Sequence, residues 1–140
     1  MISARLASSN DDRALLELRA LARELVGAQR GGPALLDDLA AEERDAPTTV
    51  DFVGELDGVV VGYATTVILD QRTRLRELFV HPEAREVGVG HHLLAAAVEH
   101  ARASGAVRLD ASALPGDRST KNFFESHDMK SRLLVVSKQL

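Results

Sequence analysis

Ile2 to Ala7 alternates apolar with polar side chains, the two-residue period of a short strand. Leu15, Leu18, Ala22 and Leu25 then recur at three- and four-residue steps, which predicts a helix with one buried stripe. Ser9-Asn10-Asp11-Asp12 supplies its cap, with Ser9 and Asp12 at capping-box spacing. Gly31-Gly32-Pro33 breaks that helix. A second is expected over roughly 34–44, with Leu35, Leu36 and Leu39 inward and Asp37, Asp38, Glu42 and Glu43 on its far side. Val50–Leu56 and Val59–Leu69 read as strands joined at Asp57-Gly58, a strong hairpin dipeptide. A turn at Asp70-Gln71-Arg72 leads to a third, Arg74–Val80.

The remainder alternates helix and strand. Residues 89–103 form a long helix with Leu93, Leu94, Ala97, Val98 and Ala101 inward, stopped at Ser104-Gly105. Val107–Ala113 is a strand, Arg118 to about His127 a short helix, and Ser131–Leu140 a closing strand. Helices joining strands imply parallel pairing, and the hairpin implies antiparallel pairing. The fold class expected is therefore α/β (α+β), one mixed sheet with helices on both faces.

Composition narrows the function. At 140 residues, 45% hydrophobic and 27% charged, the chain reads as one soluble domain spanning 1–140 with a real core. No apolar run approaches a membrane span, and no signal pattern opens the chain, so a cytoplasmic protein is expected. Zero cysteines exclude disulfides and thiolate chemistry. A net charge of −4 with 4% aromatics and no Trp argues against a nucleic-acid partner. The histidines lack ligand spacing, and no metal is expected.

Gly88 and Gly90 stand where a helix begins, after the strand ending at Val80-His81-Pro82. First-turn amides lack internal partners and carry the positive end of the helix dipole; bare backbone there lets a phosphate approach. A P-loop would need Lys-Ser/Thr where His91-His92 stands, and the dinucleotide fingerprint a third glycine where Leu93 stands.

What remains, Arg85-x-x-Gly88-x-Gly90 after a Val-x-Pro turn, resembles the signature of the GNAT superfamily of acyl-CoA-dependent N-acetyltransferases. "ALPGDRSTKNFFESHDMKSRLLVVSKQL" is similar to the family's last strand, helix and strand; over 1–73 the resemblance is one of element order. It implies a mostly antiparallel sheet whose central parallel pair splays around the arm of acetyl-CoA, the expected acyl-donor cosubstrate. It makes Val87, Gly88, Val89, Gly90 and His91 the pyrophosphate loop, with Arg85 just before it adding a cation and Glu86 also at the cofactor. Phe79 and Val80 would offer backbone groups to the pantetheine arm, Asn122 a hydrogen bond to it, and Phe124 a surface near the thioester. Arg118 and Lys121 either reach the 3′-phosphate or are solvated cations.

Transfer to an amine needs a base, an oxyanion donor and a proton for the leaving thiolate. The resemblance implies the oxyanion donor near Val80. Glu77, in the otherwise apolar strand Leu75–Val80, is the candidate catalytic base; an ion pair with Arg74, Arg76 or Arg108 is its alternative role. Asp110 is the next candidate. The pattern departs at the acid: many relatives carry a tyrosine in the aromatic pair, whereas here it reads Phe123-Phe124. The one tyrosine, Tyr63, lies in an earlier strand and is not carried into that role; Ser126 or water would substitute. Glu86 and Asp128 stand where relatives often have glycine. The function expected is acetyl transfer to a primary amine of a small molecule, protein or peptide, by direct attack in a ternary complex. The alternative is a catalytically weak or inactive acyl-CoA-binding regulatory module. A homodimer, common in the family, leaves no mark in the residues.

Overall fold

The computed structural model describes residues 1–140 and orders its elements as β1 (Ile2–Leu6), α1 (Asp12–Gly27), α2 (Gly32–Asp45), β2 (Val50–Leu56), β3 (Val59–Leu69), β4 (Arg72–Val80), α3 (Val89–Ala103), β5 (Arg108–Asp110) and α4 (Arg118–Glu125). The strands form one sheet in the order β1-β2-β3-β4-β5. Pairing is antiparallel up to β4, and β4–β5 is parallel. Asp57 (φ 51°) and Gly58 (φ 82°) make the two-residue turn that the β2–β3 hairpin needs, both in the left-handed region. No helix is long and apolar enough to cross a membrane.

Two apolar clusters sit on opposite faces of the sheet. Val89, Leu93, Leu94 and Ala97 of α3 pack against Phe52, Ala64, Leu75 and Val80. On the other face Leu15, Leu18 and Ala22 of α1 cover Val53 and Tyr63. The two-residue alternation of the strands sorts their side chains between these layers. Gly54 lets α3 approach: a β-carbon there would stand 2.6 Å from Val89 Cγ1. The start of α1 is tied to β1. Asp11 accepts from Arg5 at 2.8 and 2.9 Å and from the Ser8 N–H at 2.8 Å. The Arg5 guanidinium and that amide hold the Asp11 carboxyl well below the usual carboxylate range.

Several boundaries differ from the sequence reading. The capping pair is Ser8 and Asp11, one residue earlier, because a single 3-10 turn over Ser9–Asp11 precedes α1. The strand expected over Val107–Ala113 is only Arg108–Asp110, since β4 accompanies it no further than Arg74. The closing strand over Ser131–Leu140 does not form; those residues carry no regular structure and are all exposed. A strand exists only by pairing, and the open edge of β5 does not take this segment. α4 ends at Glu125, and Asp128 then takes the left-handed conformation (φ 63°). This lets the Met129 N–H bond back to Phe124 O at 3.1 Å.

Candidate active site

β4 and β5 run together only where Arg72–Arg74 faces Arg108–Asp110. From Leu75 to Val80, β4 has β3 on one side and no strand on the other. The His81 N–H bonds Val61 O at 2.8 Å, toward β3. Strand alternation therefore turns the main chain of Phe79 toward β3 as well, and that of Val80 toward the open side. Arg85 agrees: its Nε donates to Val80 O at 2.9 Å, and its guanidinium lies 5.6 Å from the centre of the Phe79 ring. Of the two backbones expected in the gap, Val80 faces it and Phe79 does not.

At the mouth of this gap α3 begins. Gly88 is its N-cap, left-handed at φ 100°, and no side chain caps it. The first bond of the helix is His92 N–H to Gly88 O at 3.2 Å, so the amides of Val89, Gly90 and His91 have no partner in the chain. Three unpaired N–H groups at the positive end of a fifteen-residue helix form an anion seat, which suits a diphosphate. Gly90 has a second reason to lack a side chain: its β-carbon would stand 3.3 Å from the Phe123 ring. Glu86 is left-handed (φ 66°) and exposed, and Val87 is exposed too, whereas Val89 is core.

α4 closes over this end. His127 Nδ1 lies 2.7 Å from Phe123 O, and its Nε2 lies 2.8 Å from His91 Nδ1. Asn122 is exposed and Phe124 half-buried against the α3 core. Arg118 is exposed, and Lys121 pairs with Glu125 at 3.2 Å. The Ser126 hydroxyl is committed to Phe123 O at 2.7 Å.

Glu77 owes its direction to a β-bulge. Thr65 pairs with Glu77 and Thr66 with Leu75, which leaves Arg76 as the extra residue of β4. Glu77 therefore shares the α1 face with Tyr63 and Thr65. Its carboxylate, 10% exposed, accepts from the Tyr63 hydroxyl at 3.0 Å and faces Arg23 Nη2 at 3.4 Å. Arg23 also holds Glu43 of α2 at 2.5 Å. Burial, then the adjoining Glu77 charge, push the Tyr63 hydroxyl far above the ordinary phenol value, against the opposing pull of Arg19 and Arg23. The ion-pair partners expected for Glu77 are engaged elsewhere: Arg74 and Arg76 with Glu42, Arg108 with Asp110. Asp110 itself is ringed by Arg72 (3.1 Å), Arg108 (2.9 Å) and Arg132 (3.7 Å). Burial pushes its carboxyl up, but the hydrogen bonds from Arg108 and Arg72 outweigh this and lower it.

Tyr63 and Arg23 were not among the residues expected at the site. The bulge is why: unbroken register from the Leu69–Arg72 turn would put Glu77 on the other face. The one available signal was the pair of arginines in α1, Arg19 and Arg23, four residues apart and hence on one face.

An α3 helix whose amides are free, beside a β4 strand freed from β5, is the arrangement of an acyl-CoA-dependent transferase fold. Residues 15–129 match the Acetyltransferase (GNAT) family, and the chain belongs to it. This family uses acetyl-CoA as its acetyl donor. No functionally curated protein sequence matches the chain. Among solved structures it is similar to a putative acetyl transferase from Pyrococcus furiosus (TM-score 0.76, 18% identity, all of both chains covered). It is also similar to aminoglycoside N-acetyltransferase AAC(6')-Iy in complex with CoA (TM-score 0.72, 18% identity, 99% of this chain and 100% of that one). An acetyltransferase of Trypanosoma brucei resembles it likewise (TM-score 0.68, 19% identity, all of both chains). At these identities the likeness is one of fold: a mixed sheet of five strands with a parallel β4–β5 pair.

Proposed function

We propose that this chain transfers the acetyl group of acetyl-CoA to a primary amine by direct attack in a ternary complex. The observation that carries the reading is the trio of unpartnered amides at Val89, Gly90 and His91, opening onto the free side of Val80. In this reading those amides hold the diphosphate, aided by Arg85 once it leaves Val80 O, while Glu86 and Val87 form the loop's outer wall. The Val80 main chain, on the open side of β4, pairs with the extended arm as an added strand would. Asn122 is free to hydrogen-bond the arm, and Phe124 packs beside its reactive end.

Acetyl-CoA supplies an acyl group already activated as a thioester. The protein's part is to position the amine and move its proton. Glu77 takes that proton: its carboxylate accepts from the Tyr63 hydroxyl at 3.0 Å and faces Arg23 Nη2 at 3.4 Å. The Val80 N–H is aimed at the carbonyl oxygen as charge builds on it. With no cysteine in the chain, the commonest acyl-enzyme nucleophile is missing, which favours direct transfer.

A specific observation favours a second reading, a weak or inactive acyl-CoA-binding module: Phe124 has no proton to give, and the Ser126 hydroxyl is committed to Phe123 O. Calorimetry with acetyl-CoA tests the binding half. The parent should bind and Gly88→Glu should lose at least tenfold; equal affinity would overturn the anion seat. A panel of primary amines with detection of released thiol tests the chemical half, and binding without turnover on any amine selects the second reading.

A further inference from the structure

Arg85 occupies the gap that the cofactor arm is to fill. Val80 turns its carbonyl to the open side of β4, and Arg85 Nε already donates to that oxygen at 2.9 Å. Beyond it the guanidinium lies 5.6 Å from the centre of the Phe79 ring, which packs with the α1 cluster. The side chain thus crosses the strip beside β4 where an added strand would run. In the free protein the chain closes its own gap.

The closure is built to be released. Arg85 is exposed and pairs with no carboxylate; a neutral carbonyl and an aromatic face hold its charge. It stands three residues before Gly88, the N-cap beyond which the helix amides are free. A guanidinium bonds phosphate oxygens in pairs, and more strongly than it bonds a carbonyl. A diphosphate seated at the amides of Val89, Gly90 and His91 therefore draws Arg85 toward itself and uncovers Val80 O.

We propose that Arg85 is a specificity-determining residue: it bars from the β4 gap any acyl thioester that lacks a diphosphate, and admits coenzyme A thioesters because their diphosphate removes it. This rests on the acetyl-CoA reading and adds the basis on which donors are sorted. A thioester of a short thiol must displace Arg85 with nothing to receive it. One on the single phosphate of a carrier-protein arm offers only half the charge. Acetyl-CoA regains at its diphosphate what the displaced hydrogen bond costs. The two ends of the ligand thus help each other bind, a coupling that acts through one side chain. An exposed hydrogen bond of this kind sets the coupling at about three- to tenfold in affinity.

The S-acetyl thioester of N-acetylcysteamine probes the arm alone. It carries the reactive end and stops short of the helix, and NMR titration reads its affinity. Arg85→Met keeps a long side chain and loses the donor and the charge. With the parent's circular dichroism, this variant should bind the probe about three- to tenfold tighter than the parent does, and acetyl-CoA no tighter. Inorganic pyrophosphate should raise the parent's affinity for the probe by a similar factor and leave that of Arg85→Met unchanged. A variant that binds the probe no tighter, or pyrophosphate acting equally on both chains, overturns the proposal, as does tighter acetyl-CoA binding by the variant. A parent that does not bind acetyl-CoA at all overturns the underlying reading, and this inference with it.

Discussion

The Tyr63 hydroxyl donates a 3.0 Å hydrogen bond to Oε1 of Glu77, and it does so because β4 carries one extra residue. From the Leu69–Arg72 turn, unbroken pairing would set Glu77 opposite Ala64, among the α3 core residues. The bulge at Arg76 moves it opposite Thr65 and onto the face of α1. Arg76, displaced by the same bulge, fastens α2 by donating to the carbonyls of Glu42 (3.2 Å) and Ala46 (2.8 Å). One irregularity thus turns a carboxylate toward Arg23 of α1 and fastens the end of α2 to β4.

If Glu77 takes the amine proton, Glu77→Gln should lower kcat by about 10²–10⁴ with acetyl-CoA affinity unchanged. Tyr63→Phe should cost less, because it frees the carboxylate without removing it. Steady-state rates on whichever amine the panel yields, measured across pH, check both. A Glu77→Gln enzyme with the parent's turnover at every pH would sink the assignment.

Tyr63 is the single tyrosine in a chain without Trp, so its ionisation can be read without interference from either. Burial and the Glu77 carboxylate raise its pKa in the folded protein above the ordinary value of about 10. No phenolate absorbance should appear as pH passes 10 while the fold persists. The sign of the linkage follows. The stability tied to this group is complete below about pH 10, then falls as the unfolded chain ionises first. Phenolate appearing before loss of circular dichroism would contradict the buried contact.

Glu86 places a carboxylate beside the anion seat and spends a left-handed φ of 66° on a residue with a β-carbon. Glu86→Gly removes both penalties. Acetyl-CoA should bind roughly two- to fivefold tighter at low salt, the scale of a charge acting at a helix end, with the gain shrinking as salt rises. Calorimetry at two ionic strengths decides it.

Asp110 looked like an alternative base because it lies on the strand parallel to β4. The structure surrounds it with Arg72, Arg108 and Arg132, the environment of a structural ion cluster. Asp110→Asn should therefore lower thermal stability, by about 1 kcal/mol for a half-open cluster, and leave kcat within a factor of two. A large loss of kcat with unchanged Tm would return it to the list of bases.

The bare start of α3 was legible in the residues because it depends on local backbone: Gly88 and Gly90 after Val80-His81-Pro82 predict it, and α3 begins at Val89. The hairpin at Asp57-Gly58 and both its strands were legible for the same reason. The surroundings of Glu77 were not. They depend on long-range register, which a single bulged residue inverts and no local pattern announces. The segment Ser131–Leu140 has every local mark of a strand, yet strand formation needs an edge to pair with, and propensity does not supply one.

The seat also depends on a residue far from it in sequence. Gly54 lies in β2, and a β-carbon there would stand 2.6 Å from Val89 Cγ1 and 3.1 Å from Leu93 Cγ. Val89 is the first residue of α3, 1% exposed, with Leu93 one turn further along and fully buried. Neither can swing into water, so Gly54→Ala must move the helix start itself. Overpacking of this kind costs about 1–3 kcal/mol. Because the part that moves carries the free amides, acetyl-CoA affinity should fall together with Tm, although Gly54 touches no ligand. Gly58→Ala, in the open β2–β3 turn, strains the backbone at φ 82° without touching α3, and should lower Tm alone. Equal losses of affinity in the two variants would mean that general destabilisation, not the placement of α3, governs the site.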